Sequence, residues 1–144
     1  MLKNIPPILG PDLLGILRAM GHGDEIAIVD ANYPADSAGP VLVRLDGISA
    51  TDVLDAVLTL MPLDDFVDEP VLTMQTVGDA GKREPVVDAF DTIVRKHEPK
   101  MGVSSLERFA FYDRVKTAYA IVQTGERRLY GNILLKKGII RPDA

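Results

Sequence analysis

A histidine set between two glycines is the residue of this chain whose type and setting best suit proton transfer. His22 stands between Gly21 and Gly23, and glycine allows the backbone to expose or reorient its neighbour. An imidazole can both donate and accept a proton near neutral pH. The carboxyl end of a predicted helix, with Asp24 and Glu25 close by, favours the protonated form. The pattern predicts a general acid; a surface histidine that helps to cap the helix is the alternative.

An aspartate follows the apolar run 26–29, which reads as a buried strand. Asp30 therefore lies at the carboxyl end of a strand, where α/β proteins commonly hold ligands. An Asx-turn that closes the strand is an equally good interpretation. A strand of four or five residues at about 3.3 Å each separates His22 from Asp30. The two meet only if the Gly-His-Gly loop folds back over the sheet edge, and the sequence leaves open whether both belong to one subunit.

A second group of polar and aromatic residues lies toward the carboxyl end. Arg108 falls on a predicted helix, Tyr119 opens a predicted strand, and Tyr130 and Asn132 precede the last strand. Tyrosine and asparagine offer both hydrogen-bond donors and acceptors, and aromatic faces suit the C–H faces of a sugar ring. Gly131 permits close approach of the backbone to a ligand. An ordinary strand-entry turn is the alternative for this segment.

Other candidates are assigned to structural roles. Phe109 is predicted to pack in the core, residues 126–128 to form a solvated turn, and His97 to end a helix. One histidine with nearby carboxylates at the spacings of residues 22–30 matches no metal-ligand pattern, so we expect no metal.

Composition narrows the class of protein. The 144 residues are 47% hydrophobic and carry a formal charge of -5, which fits one globular domain over 1–144 and disfavours nucleic acid or an anionic membrane as partner. Without cysteine, disulfides and thiolate metal sites are excluded. Residues 1–7 are too soon broken by proline to act as a signal peptide, and no apolar run approaches the roughly 20 residues of a membrane span. We expect a cytoplasmic protein.

Helical and extended patterns alternate along the chain. The first predicted helix begins at 10–12 and ends with Gly21 as its C-cap, and the second begins near Ser49 with Ser49 or Thr51 as its cap. A third helix includes 86–94, and a fourth follows a capping box formed by Ser104 and Glu107. Strands are predicted at 26–29, 41–45, 71–77, 119–123 and 132–136. Continuous apolar strands between helices favour an α/β fold, a three-layer domain with a mostly parallel sheet covered by helices.

Several motifs, in this order, resemble one known family. They are MGHGDE at 20–25, DANYPA at 30–35, RFAFY at 108–112, AIVQTGE at 120–126 and YGNILLKKG at 130–138. Together they are similar to the L-fucose mutarotase / D-ribose pyranase family over nearly the whole chain, most weakly between about 78 and 103. The segment 2–7 and the Arg108 motif lie closer to the fucose branch.

The resemblance implies a cytoplasmic enzyme that interconverts cyclic forms of a free monosaccharide without metal or cofactor. It implies a ring-shaped homo-oligomer, commonly a decamer, with sites near subunit contacts. His22 matches the proton donor of the family, Asp30 and Arg108 match sugar-binding positions, and Tyr130 and Asn132 match a Tyr-x-Asn motif. Tyr119 falls at an aromatic position that varies within the family.

The same side chains allow three classes of function. The first is a mutarotase, with L-fucose as the preferred substrate and D-ribose next. The second is a non-catalytic sugar-binding partner of a transporter or catabolic operon, and the third is a purely structural ring subunit. Opening a hemiacetal needs a proton on the ring oxygen and loss of one from the anomeric hydroxyl. One positioned acid/base with hydrogen-bonding partners can supply this, with Asp30 or Tyr130 acting on the anomeric hydroxyl.

Overall fold

Six strands form one mixed sheet in a computed structural model, which describes residues 1–143. The strands are β1 (Glu25–Val29), β2 (Val41–Leu45), β3 (Val71–Met74), β4 (Ser104–Leu106), β5 (Ala120–Thr124) and β6 (Ile133–Lys136), in the spatial order β2-β5-β1-β6-β3-β4. The helices are α1 (Pro11–Ala19), α2 (Ala50–Leu60), α3 (Pro85–His97) and α4 (Arg108–Lys116).

The predicted three-layer α/β arrangement is confirmed, but the sheet is mixed. One apolar cluster joins α1, α2 and α3 to one face of the sheet, and a second joins Phe111 and Val115 of α4 to the other face. Strand β6 runs antiparallel to both of its neighbours, β1 and β3, while the other three pairings are parallel. The amino end of β6 therefore lies at the same sheet edge as the carboxyl ends of the other strands.

The predicted capping box at 104–107 is wrong. Ser104 and its two successors form β4, which pairs in parallel with β3. The hydroxyl of Thr73 donates to the carbonyl of Ser104 (3.1 Å). Glu107 is itself the N-cap of α4, because its carboxylate accepts from the amides of Phe109 and Ala110. The short strand completes the sheet, and this tertiary pairing outweighs the local helix signal.

Other boundaries also differ from the predicted ones. Helix α1 has its C-cap at Met20 with extended backbone, so Gly21 does not cap it. The third strand ends at Met74, since the chain turns at 76–79. Ser49 is the cap of α2 and accepts a hydrogen bond from the amide of Asp52.

The longest helix has 13 residues, and no helix within 1–143 has the length and apolar character to cross a membrane.

Candidate active site

Asp30 follows β1 directly and is buried at the carboxyl edge of the sheet. Its Oδ1 accepts from the amide of Asn32 (3.0 Å), which is the Asx-turn foreseen as an alternative. Its carbonyl accepts from Nε2 of Gln123 on β5 (2.6 Å). Burial raises the pKa of the Asp30 carboxyl, and the hydrogen bonds that it accepts offset only part of this effect. A carboxylate in this position holds a proton more tightly than an exposed one.

Asn132 meets Asp30 because β6 is antiparallel. Oδ1 of Asn132 accepts from the backbone amide of Asp30 (2.8 Å), and Nδ2 donates to Oδ2 of the Asp30 carboxylate (3.1 Å). Two residues 102 positions apart in the chain thus form a closed pair. The sequence predicted both as site residues, and the structure brings them together.

Tyr130 approaches the same edge with a strained backbone. Its φ is +64°, which is uncommon for a residue with a bulky side chain and costs free energy that surrounding contacts must supply. Its hydroxyl accepts from the amide of Val77 (3.1 Å). A Cβ on Gly131 would lie 2.7 Å from Cγ of Glu126. The glycine therefore permits close packing within the chain, whereas close approach to a ligand had been predicted.

Arg108 begins α4 and lies over two aromatic rings. Its guanidinium carbon is 5.3 Å from the ring centre of Phe109 and 5.4 Å from that of Tyr112, within the range of cation–π attraction. The core position predicted for Phe109 is wrong, because its side chain is exposed and Phe111 fills the core instead. Five guanidinium donors are thus held at the edge that contains Asp30.

These groups line one open cleft of about 200 Å³. The lining residues are Asp30, Asn32, Tyr33, Met74, Val77, Arg108, Tyr112, Leu129, Tyr130 and Asn132. A larger cavity of about 430 Å³ lies beside the end of α1, but its lining is mainly aliphatic and lacks the hydrogen-bonding groups that a sugar requires. The smaller cleft is the candidate binding site.

Two aromatic residues of the cleft were not identified from the sequence. Tyr33 is buried, and its ring packs edge-on against Tyr112 with the centres 5.1 Å apart. Burial raises the pKa of the Tyr33 phenol, so it stays neutral and can donate or accept a hydrogen bond. Tyr33 lies in the loop 31–40, where no periodic pattern marked it as part of a site.

The solvated turn predicted at 126–128 is wrong for its first residue. Glu126 is buried, and its carboxylate accepts from Nε of Arg128 (2.7 Å) and from the amide of Ala50 at the start of α2 (3.2 Å). Its carbonyl accepts from the amide of Ala31 (2.9 Å). These contacts lower the pKa of Glu126, with the Arg128 bond as the main cause. Glu126 therefore fixes the backbone just after Asp30 and the turn that leads to Tyr130.

His22 lies at the other edge of the sheet, away from the cleft of its own chain. It precedes β1, while Asp30 follows that strand, and five strand residues span roughly 17 Å. Nε2 of His22 is 2.9 Å from Oδ1 of Asp64, a buried carboxylate that the sequence did not single out. The His22 ring packs against Phe66 (5.1 Å between centres), and its side chain is 41% exposed.

Tyr119 is also at the amino edge. Its amide donates to the carbonyl of Glu25 (2.8 Å), where β5 and β1 begin. The six predicted site residues thus divide into two groups, with Asp30, Arg108, Tyr130 and Asn132 at one edge and His22 and Tyr119 at the other. Within 1–143, no three histidine or acidic side chains are grouped to hold a metal ion.

Comparison with known proteins matches this chain to one family. Residues 3–140 fit the family model described as the RbsD / FucU transport protein family. The fucose mutarotase of Mus musculus is 45% identical over an alignment of 145 positions, which covers 96% of this chain and 95% of the mouse protein.

Comparison with solved structures points to the same family. The fucose mutarotase of Streptococcus pneumoniae, solved with L-fucose, is 44% identical with a TM-score of 0.88, over 97% of this chain and all of that one. RbsD of Bacillus subtilis, solved with D-ribose, shares the fold at 22% identity and a TM-score of 0.72, over 98% of this chain and 100% of that one. The chain belongs to the RbsD / FucU family.

Proposed function

We propose that this protein is a mutarotase that interconverts the anomers of free L-fucose. The observation that carries the proposal is the single cleft containing Asp30, Arg108, Tyr130 and Asn132, in a chain 44% identical to a fucose mutarotase solved with L-fucose. The lower identity to RbsD, 22%, supports L-fucose over D-ribose. We expect the enzyme to act in the cytoplasm, which cell fractionation checks.

The cleft has the groups that a monosaccharide needs. Arg108 donates to sugar hydroxyls, the carboxylate of Asp30 accepts from them, and the amide of Asn132 holds that carboxylate in place. The rings of Tyr33 and Tyr112 offer apolar surface to the C–H bonds of the sugar. The cleft therefore combines a small number of fixed polar groups with aromatic walls, as sugar sites require.

Ring opening needs an acid and a base. The acid gives a proton to the ring oxygen, the bond from that oxygen to the anomeric carbon breaks, and the base takes the proton of the anomeric hydroxyl. Rotation and the reverse proton transfers then close the other anomer. Asp30 suits the base, since burial raises its pKa, whereas the Tyr130 hydroxyl is already engaged by Val77. His22 is the proposed acid.

A site shared between two copies of the chain reconciles these roles with the separation of His22 from Asp30. Exposed apolar side chains flank both groups: Phe66 and Ile140 on the side of His22, Val77 and Leu129 around the cleft. Exposed apolar side chains of this kind often mark protein interfaces. We propose a ring-shaped homo-oligomer, a decamer, in which His22 and Tyr119 of one copy face the Asp30 cleft of the next.

Saturation-transfer NMR of L-fucose anomers tests the assignment. His22→Ala should lower the exchange rate about 10²–10⁴-fold, the usual contribution of a positioned acid. His97→Asn is the matched control, because His97 pairs with Asp55 between α2 and α3, outside either group. Exchange at the wild-type rate in His22→Ala contradicts the role of His22.

A non-catalytic sugar-binding protein is the second candidate. It is favoured by the completeness of the Asp30 cleft within one chain, which holds binding groups without the acid. Binding of a sugar without faster anomer exchange would select it. A panel of L-fucose, D-ribose, galactose and rhamnose separates the possibilities, and a purely structural subunit predicts no shift of melting temperature with any of them.

A further inference from the structure

Lys137 contacts the chain on both sides of His22. Its ammonium group donates to the carbonyl of Met20, the residue that caps α1. Its own carbonyl accepts from the amide of Gly23 (2.8 Å), and its amide donates to the carbonyl of Asp24 (2.8 Å). This residue, which directly follows β6, therefore bridges the end of α1 and the start of β1, with the Gly-His-Gly loop between the two.

The ammonium group of Lys137 also completes the end of α1. The last carbonyls of a helix have no amide partner within that helix, and Nζ of Lys137 donates to one of them, the carbonyl of Leu17 (2.7 Å). A positive charge is favourable at this end of the helix dipole. Lys137 therefore helps to fix where α1 ends and how the chain enters the Gly-His-Gly loop.

The Gly-His-Gly loop needs such contacts because glycine loses more conformational freedom on ordering than any other residue. Gly23 has a φ of +89°, which only external contacts can single out. The amide of Gly21 donates to Oδ2 of Asp24 (2.8 Å), but this bond is exposed, so water competes for both groups. The bonds of the Lys137 ammonium group are partly buried and compete less with water.

We infer that Lys137 is a positioning residue for the proposed proton transfer, because its ammonium group holds the loop in the conformation that presents His22. The inference rests on the proposed function, in which His22 is the acid. Lys137 acts through the backbone of the loop and exchanges no proton with the sugar. Loss of the ammonium group leaves the acid present but misplaced, and a displacement of about 1 Å can cost about 10²-fold in rate.

The surroundings of the ammonium group separate this role from a general contribution to folding. Burial lowers the pKa of Lys137, the charge of Arg18 adds to this effect, and the carboxylate of Asp24 opposes it only in part. The charged form is thus disfavoured at this position. Methionine keeps an unbranched side chain and removes that cost together with the hydrogen bonds. The melting temperature of Lys137→Met should therefore change little, while kcat falls.

Kinetics of Lys137→Met test the inference. We expect kcat for L-fucose exchange to fall to about one tenth of wild type or less. KM should stay within about twofold, because Asp30 and Arg108 lie in the cleft at the other edge of the sheet. Lys96→Met is the matched control, since Lys96 is exposed and pairs with Asp55, and its kcat should equal that of wild type. Wild-type kcat in Lys137→Met, or an equal loss in Lys96→Met, overturns the inference.

Chemical rescue tests the ammonium group directly. The chain has no cysteine, so Lys137→Cys introduces a single thiol, which is alkylated in urea before refolding. Alkylation with 2-bromoethylamine rebuilds a side chain of lysine length with its ammonium group, and 1-bromopropane gives the same length without it. We expect kcat to return toward the wild-type value with the first reagent and to stay low with the second. Equal kcat for the two products overturns the inference.

His22→Ala distinguishes failure of the inference from failure of the proposed function. If His22→Ala exchanges anomers at the wild-type rate, the proposed function itself fails. If His22→Ala is inactive while Lys137→Met keeps the wild-type kcat, His22 remains the acid and Lys137 alone is misassigned.

Discussion

The pKa of Asp30 links the chemistry of the cleft to protein stability. Its folded pKa lies above the unfolded value near 3.8, so the folded state binds the proton more tightly. The stabilisation by this proton is complete below the unfolded pKa and is lost as the pH rises through the folded pKa. Relative to Asp30→Asn, which does not titrate, wild type should gain stability as the pH falls through the raised pKa of Asp30 toward the ordinary value of 3.8.

Urea denaturation at a series of pH values measures this difference. Asp64 provides the opposite case, because its pKa is lowered. Its contribution is present above the ordinary value of 3.8 and is lost as the pH falls through the lowered pKa. A stability difference between wild type and Asp30→Asn that is flat, or that changes in the same direction as for Asp64→Asn, would contradict the assignment.

Glu126 was predicted to lie in a solvated turn, but its side chain is buried in the structure. Glu126→Gln removes the charge that binds Arg128 and weakens the contact with the amide of Ala50. We expect a loss of about 1–3 kcal/mol of unfolding free energy, read from the denaturation midpoint. Asp46→Asn, which breaks an exposed pair with Arg44, is the control and should change stability little. Equal effects of the two substitutions would count against a buried ion pair.

The elements show what local sequence could and could not reveal. Helix α1, with Pro11 at its first turn, and the apolar strand β1 were predicted because proline and hydrophobic runs act locally. The direction of β6 was not predicted, since its three apolar residues, 133–135, read the same in either direction. That direction matters, because a parallel β6 would start at the edge occupied by His22 and separate Asn132 from Asp30.

The same limit applies to the site. Asp30, Tyr130 and Asn132 were found as polar residues that flank strands, which is a local signal. Asp64 and Tyr33 lie in connecting segments, and only the tertiary pairings bring them to His22 and to the cleft. The sequence left open whether the Gly-His-Gly loop folds back to bring His22 to Asp30. In the structure the loop does not do so within one chain, where His22 contacts Asp64 instead.

The turn into β6 provides a prediction at the scale of the element. Gly131→Ala places a Cβ 2.7 Å from Glu126 and 3.1 Å from the carbonyl of Arg128, so the turn must shift and carry Tyr130 and Asn132 with it. We expect kcat/KM for L-fucose to fall roughly tenfold or more. Gly15→Ala, in open space on α1, should leave kcat/KM unchanged and stabilise the helix by about 0.5–1 kcal/mol.

Measurement of kcat/KM for L-fucose anomer exchange, together with denaturation curves, tests this prediction in both glycine variants. Normal kcat/KM in a folded Gly131→Ala protein would mean that the turn adjusts without moving the cleft. A loss in both variants would indicate a general effect of the added methyl group.

At the scale of the whole molecule, the proposed sharing of the site between two copies predicts complementation. His22→Ala and Asp30→Asn proteins are each expected to be nearly inactive. After they are unfolded together and refolded, mixed rings should contain about a quarter of sites with both groups intact. Anomer exchange should therefore recover to about a quarter of the wild-type rate, whereas each variant refolded alone gives none. No recovery in mixed rings of confirmed composition would contradict a site shared between copies.

Strand β1 has a further consequence, because it holds the His22 loop at one end and Asp30 at the other. In the ring proposed above, each chain serves two different reaction centres, one with each neighbour. A copy that lacks both His22 and Asp30 inactivates two reaction centres instead of one. The rate of anomer exchange therefore falls with the square of the fraction of intact copies. Defective copies of such an assembly are therefore expected to be dominant-negative.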